Sequence, residues 1–268
     1  MAQNEKVTPA TLLARKANQQ PIVGLTAYDY PSALLADHAG LDFILVGDSL
    51  GPLMLGYSRV EQTTMADMIH HCAAVSRGAA RALVVGDLPF GTYEVSPKQA
   101  ARSAIRLTQR GGVGAVKLEG GLEVVAAVRA VAEAHIPVIG HLGMFHSGGP
   151  DASDDERRDT LVTAARALED AGAAALVIVG LRDVHAQAVT AALTRIPTIG
   201  YQSGPHCDGQ LLIGPTMLGL LPGDAPAPGP YGALGQQIQA SFAQFVSDVR
   251  ERRFHGDFND SAAGTSHR

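Results

Sequence analysis

The chain is 268 residues long, 46% hydrophobic and 18% charged, with 21 Lys plus Arg against 26 Asp plus Glu and a net charge of −5. A chain of this size can bury roughly three quarters of its unfolded surface, so a large core is available and disorder along its whole length is excluded. The acidic balance excludes the basic footprint of a nucleic-acid binder and the polybasic face of a membrane-surface protein.

The first twenty residues hold no apolar stretch of signal-peptide length, and no run of about 18 apolar residues occurs anywhere, so a cytoplasmic protein with no membrane partner is expected. Two cysteines far apart, Cys72 and Cys207, suggest neither a disulfide scaffold nor a zinc site. In chain order, short apolar runs are predicted as strands: IVGLTA (22–27), DFILVG (42–47), ALVVGD (82–87), GAVKLE (114–119), IPVIGH (136–141), ALVIVG (175–180) and IPTIG (196–200). LLIGPTMLGL (211–220) is a weaker eighth candidate. None alternates simply between apolar and polar, which is the pattern of strands buried on both faces.

Between the strands lie helical patterns: YPSALLADHAG (30–40), MADMIHHCAAVSRGAA (65–80), a helix opened by Ser96-Pro97, DERRDTLVTAARALEDAGA (155–173) and DVHAQAVTAALTR (183–195). This alternation predicts an α/β fold, a (β/α)8 TIM barrel of one domain over 1–255, with an open doubly wound sheet as the other arrangement to weigh. The Pro/Gly-rich stretch 221–235 reads as a loop, and 256–268 as a mobile C-terminal tail.

In a barrel of this kind, chemistry sits where strands end. Asp48 and Ser49 follow the second predicted strand, Asp87 closes the third, Lys117 and Glu119 end the fourth and His141 closes the fifth. Residues two apart on a strand share a face, so Lys117 and Glu119 both point into the mouth. Three carboxylates from neighbouring strands repel one another if all are ionised. A divalent cation relieves that conflict, and hard oxygen donors suit magnesium, giving Asp48, Asp87 and Glu119 as candidate ligands. Lys117 supplies a positive charge for a substrate carboxylate, and His141 a proton carrier. The same residues admit plainer roles: an Asp after a strand caps the next helix, Lys117 and Glu119 form a rim ion pair, and a His at a strand end is structural. His70 and His71 lie about 100° apart on a helix, which favours a structural or subunit-contact role over a shared ion. Gly200–Gly204 reads as a turn, and Thr26, Tyr28 and Asp29 either line the mouth or cap the next helix.

The motifs LTAYDY (25–30), LVGDSLG (45–51), GDLPF (86–90), VKLEGG (116–121), IPVIGHLG (136–143) and DGQLL (208–212) together resemble the ketopantoate (3-methyl-2-oxobutanoate) hydroxymethyltransferase family. The resemblance implies a (β/α)8 barrel that forms a homo-oligomer, typically a decamer of two stacked pentamers. It implies magnesium at Asp48, Asp87 and Glu119. Asp48, Ser49, Asp87 and Lys117 would hold a 2-oxo acid, with His141 beside it. The reaction implied removes the acid's C3 proton and adds the one-carbon unit of 5,10-methylenetetrahydrofolate.

The chain departs from the family pattern in places. The family's proton-accepting Glu at the end of the sixth strand aligns with Val179. MFHSGGPDASDD follows GHLG, LGYSRVEQTT follows the second strand, and Pro215-Thr216 stands where a His-Asp pair is usual. The expectation is a divergent member that joins a one-carbon unit, from folate or formaldehyde, to a 2-oxo acid. The alternatives are another metal-dependent aldolase, lyase or isomerase, and a catalytically silent ligand-binding paralogue.

Overall fold

The computed structural model describes residues 5–143, 146–149, 151–221 and 231–254. Eight parallel strands close into a barrel in sequence order: β1 (Ile22–Thr26), β2 (Phe43–Val46), β3 (Leu83–Asp87), β4 (Ala115–Glu119), β5 (Val138–Gly143), β6 (Ala175–Val179), β7 (Thr198–Tyr201) and β8 (Gly209–Ile213). The helices are α1 (Pro9–Ala17), α2 (Tyr30–His38), α3 (Met65–Gly78), α4 (Pro97–Gly111), α5 (Val125–Glu133), α6 (Asp154–Asp170), α7 (Asp183–Ala192), α8 (Gly214–Met217) and α9 (Leu234–Arg250). The closed barrel expected from the sequence is present, and the open sheet is not.

The strands read as uniformly apolar because each face has its own core. On β2, Phe43 and Leu45 join an inner cluster with Leu83, Val85, Ala115, Ile139, Ala175, Val177 and Ile199. Ile44 and Val46 instead join an outer cluster with helix residues such as Met68, Cys72 and Leu107. Val7 and Leu12 belong to the inner cluster, so α1 covers the barrel's N-terminal end. Gly24 makes room for this packing, because a Cβ there would lie 2.0 Å from Phe43 Cζ.

The helix starts follow from local capping. Asp29 accepts from the Ser32 N–H, so it caps α2. Thr64 and Asp67 form a capping box on α3, and Ser96 caps α4 with Pro97 in its first turn. Asp29 therefore has the capping role of the two considered for it.

The eighth strand is shorter than the sequence suggested. It begins at Gly209 and ends at Ile213. Gly209 sits where a Cβ would lie 2.4 Å from the Ile22 carbonyl oxygen, so only glycine pairs this closely with β1. At the other end Pro215 has no N–H to continue a ladder, and the chain turns helical.

The described chain divides into a compact unit Met1–Gly214, which holds the barrel, and a second, Pro215–Arg268, which holds α9. Residues 222–230, most of the expected loop, and the expected tail 256–268 lie outside the described residues. No helix among the described residues is long and apolar enough to cross a membrane.

Candidate active site

Strand register brings the sequence candidates to one mouth at the C-terminal ends of β2–β5. Asp87 pairs with Lys117 across β3 and β4, and Glu119 pairs with His141 across β4 and β5. Below them on the inward face lie Val85, Ala115 and Ile139, so the period of two places Asp87, Lys117 and His141 in the next layer up.

Lys117 is the centre of the arrangement. It is buried, with Nζ 3.2 Å from Asp87 Oδ2 and 3.2 Å from His141 Nδ1. His141 Nδ1 also lies 3.0 Å from Glu119 Oε2. The expected ion pairing of Lys117 is therefore with Asp87, while Glu119 pairs with His141. Asp87 Oδ2 further accepts the Asp48 N–H at 3.0 Å. Thr63 Oγ1 donates to the Asp48 carbonyl at 2.8 Å, which fixes the loop after β2.

The electrostatics follow from this crowding. Burial pushes the Asp87 carboxyl up to about 7, against the pull of Lys117 and with the help of Asp48. Asp48 is also raised, chiefly by burial, with Lys117 opposing and Glu119 adding to it. Burial alone would lower Lys117, but Asp87, Asp48 and Glu119 outweigh it and the ammonium is held above its ordinary value. The hydrogen bond from His141 holds Glu119 down at about 2. Burial, followed by the charge of Lys117, lowers His141 to about 4, so its ring is neutral at neutral pH.

Two of these groups have opposite consequences for stability in metal-free protein. The unfolded imidazole takes a proton below about pH 6.5, whereas folded His141 does so only near 4. Stability therefore falls as pH drops through that window. Asp87 keeps its proton in the folded state up to about 7 and loses it near 3.9 when unfolded, so its contribution falls as pH rises. His141→Asn removes the first effect and leaves the second. Relative to wild type, the variant should gain on the order of 2–3 kcal/mol between pH 6.5 and pH 4. Urea unfolding in chelator at both pH values measures this, and a parallel pH dependence of the two proteins would contradict it.

The oxygen donors suit a hard divalent cation. Asp87 Oδ1 is buried and has no hydrogen-bond partner, which leaves a carboxylate oxygen free for a ligand. Gly47 keeps space beside it, because a Cβ there would lie 2.9 Å from Ser49 Oγ and 3.6 Å from Asp87 Oδ2. The side chains are not gathered into a ready cage: among the described residues, no three His, Cys, Asp or Glu groups are placed to hold one metal ion. Glu119 faces His141 instead. Magnesium commonly uses one or two carboxylates and keeps several waters, so Asp87 with Asp48 is a sufficient starting set.

Several residues belong to the site that sequence reasoning did not place there or left open. Tyr28 shares a 3.0 Å hydrogen bond with Ser49 Oγ, and its backbone carbonyl lies 2.6 Å from His71 Nδ1. His71 therefore has the structural role expected of it. Thr26 Oγ1 accepts the Gly214 N–H, a structural tie. Tyr93 donates to the Glu119 carbonyl at 3.0 Å. Gly143 donates its N–H to His146 Nδ1 at 3.0 Å, and the His141 and His146 rings meet edge to face at 6.4 Å. Val179 pairs with Gly143 on one side and with Tyr201 on the other. Both Val179 and Tyr201 pack on the inner cluster and form the wall of the mouth on β6 and β7.

The family model for ketopantoate hydroxymethyltransferase matches residues 6–257. The 3-methyl-2-oxobutanoate hydroxymethyltransferase of Ignicoccus hospitalis is 43% identical over 261 residues, covering 94% of this chain and 98% of its own. That of Moorella thermoacetica is 44% identical over 265 residues, covering 95% and 97%. Among solved structures, a 2,3-dimethylmalate lyase of the PEP mutase/isocitrate lyase superfamily superposes with a TM-score of 0.63 at 19% identity, covering 94% of this chain and 91% of its own. A phosphonopyruvate hydrolase complexed with oxalate and magnesium gives a TM-score of 0.64 at 14% identity, covering 100% and 92%. At such identities these two share the fold.

Proposed function

Because the chain belongs to the ketopantoate hydroxymethyltransferase family, we propose that it enolises a 2-oxo acid at the barrel mouth and joins a one-carbon unit to the acid's C3. The unit comes from 5,10-methylenetetrahydrofolate or formaldehyde. The observation that carries the reading is the buried ammonium of Lys117 beside Asp87 and the neutral ring of His141, at the end of the barrel where such folds do chemistry.

Magnesium, held by Asp48, Asp87 and Glu119, would supply Lewis-acid polarisation of the substrate's keto oxygen. The rest is done by side chains. Lys117, itself buried, places a positive charge where the enolate's negative charge develops. Ser49, held by Tyr28, orients the acid. With Glu119 accepting from Nδ1–H, His141 keeps its lone pair on Nε2, the nitrogen nearest Gly143, and takes the C3 proton there. This assigns to His141 the part that the family's strand-end carboxylate plays, at a position where this chain has Val179.

Incubation with magnesium, either one-carbon donor and a panel of 2-oxo acids should give a product heavier than the acid by one CH2O unit. No such product with any acid would sink the proposal. Val179 favours a second reading, in which the same platform enolises its acid for an aldolase, lyase or isomerase reaction. Exchange at C3 without one-carbon product would select it. Neither exchange nor product would leave a silent, ligand-binding member.

The homo-oligomer, in the family's manner a decamer, is part of the same proposal. Phe242, Phe245, Val246 and Val249 of α9 are exposed in the single chain, which supports contact with further copies. Sedimentation at micromolar concentration tests it, and a monomer would contradict it.

A further inference from the structure

The mouth has a charged half on β2–β5 and an uncharged wall on β6 and β7. The uncharged wall is not simply inert. Tyr201 ends β7, directly in register with Val179, and packs on the inner cluster beside it. Its phenol makes no hydrogen bond with the described residues, yet it is not among the polar atoms sealed from solvent without a partner. A half-buried hydroxyl at the rim with nothing to bind is a group available to a ligand.

Its backbone carbonyl is held from two sides. The Tyr201 carbonyl accepts the Gly180 N–H at 2.9 Å and lies 3.0 Å from Ser203 Oγ. Ser203 is buried, also reaches the Ile178 carbonyl at 3.0 Å and accepts the Leu181 N–H at 3.2 Å. The next residue, Gln202, holds a left-handed conformation at φ 50, a conformation uncommon for a side-chain-bearing residue. Strain of this kind persists where surrounding structure enforces it, and it concentrates at functional sites. The turn after β7 thus holds the Tyr201 backbone steady beside Val179.

From this geometry we infer that Tyr201 is a catalytic residue, and that the electrophile taken by this site is an aldehyde whose oxygen meets the Tyr201 hydroxyl. The inference rests on the enolisation proposed above. His141 Nε2 takes the C3 proton, and the C–H electron pair becomes the enolate. C3 then attacks the aldehyde carbon, the C–C bond forms, and the carbonyl π pair moves onto the aldehyde oxygen. That alkoxide takes the Tyr201 proton, and the phenolate is reprotonated through solvent by the imidazolium. The sum is 2-oxo acid plus aldehyde giving a hydroxyalkyl 2-oxo acid, with no oxidant or reductant. An iminium carbon on folate carries no such oxygen, so the phenol serves an aldehyde specifically. Burial raises the Tyr201 phenol above its ordinary value, which keeps it in the donating form.

The test compares wild type with Tyr201→Phe, which removes one oxygen atom. Two rates are measured with magnesium and a panel of 2-oxo acids: deuterium uptake at C3 without aldehyde, and aldol product with formaldehyde. The variant should lose about 10²-fold in aldol rate and keep C3 exchange within about twofold. Retention of the aldol rate overturns the inference. So does an equal loss of both rates, which would mark Tyr201 as structural. So does wild-type product from methylenetetrahydrofolate but none from formaldehyde. Absence of C3 exchange in wild type with every acid overturns the enolisation reading and this inference with it, and is recognisable because no aldehyde takes part in that step.

Discussion

Val179→Glu should raise hydroxymethyl transfer from methylenetetrahydrofolate by at most about 10²-fold, the low end of what a positioned general base contributes, because His141 already serves as a base. Val179 ends β6 with its side chain on the inner cluster, so a longer residue there projects into the mouth. Its neighbour in register is Gly143, which has no side chain to block it. The site of the missing Gly143 Cβ is 3.5 Å from the Val179 carbonyl oxygen and 3.7 Å from His141 Nε2. A carboxylate at position 179 would project from β6 on the same inward face as His141 on the neighbouring β5. The ammonium of Lys117 favours its ionised form. Steady-state rates with the folate donor measure the gain. An unchanged rate, in a variant that melts like wild type, would mean that the rest of the mouth is not set up for this reaction.

Lys117→Met should lower the enolisation rate by about 10²–10³, the cost of removing one preorganised group that stabilises developing charge. Breaking a buried ion pair by removing one partner costs about 3–5 kcal/mol when the other partner stays charged. Here Asp87 has an escape, because burial already holds its carboxyl at about 7 and loss of the ammonium raises it further. At pH 6 the carboxyl is protonated and the stability loss should be small. At pH 8.5 ionisation must be forced, and the loss should approach the full figure. C3 exchange and urea unfolding at the two pH values check both parts. A stability loss that does not depend on pH would contradict the pairing with Asp87.

The barrel was legible because a closed parallel sheet leaves a plain trace. Strands such as β2 and β3 are apolar on both faces, and Asp87 and Glu119 mark the ends of β3 and β4, whereas β5 runs two residues past the expected end at His141, to Gly143. Capping chemistry marked helix starts equally well, as at Ser96-Pro97. Other features leave no such trace. α9 follows a Pro/Gly-rich stretch, and although Ile238, Phe242, Phe245, Val246 and Val249 recur at helical spacing, no strand pattern directly precedes it to mark it as part of the β/α alternation. The eighth strand was overextended because apolar content continues past Ile213 while Pro215 ends the ladder.

At the site, residue types were legible and pairings were not. Lys117 and Glu119 share a strand face, yet each takes its partner from a neighbouring strand, Asp87 and His141. Register between strands decides such pairings, and nothing local in the chain encodes it. Tyr201 was hidden for the same reason. Within Gly200–Gly204 it looks like part of a turn, and only its alignment with Val179 across β6 and β7 turns it into a wall of the mouth.

The central claim is that this mouth makes the C3 proton of a 2-oxo acid removable. Proton NMR in deuterium oxide, with magnesium and a panel of 2-oxo acids but no one-carbon donor, tests it most directly. The account predicts loss of the C3 signal of at least one acid, dependent on magnesium and abolished in Asp87→Asn. Signals that persist for every acid, together with no heat of magnesium binding by calorimetry, would contradict it.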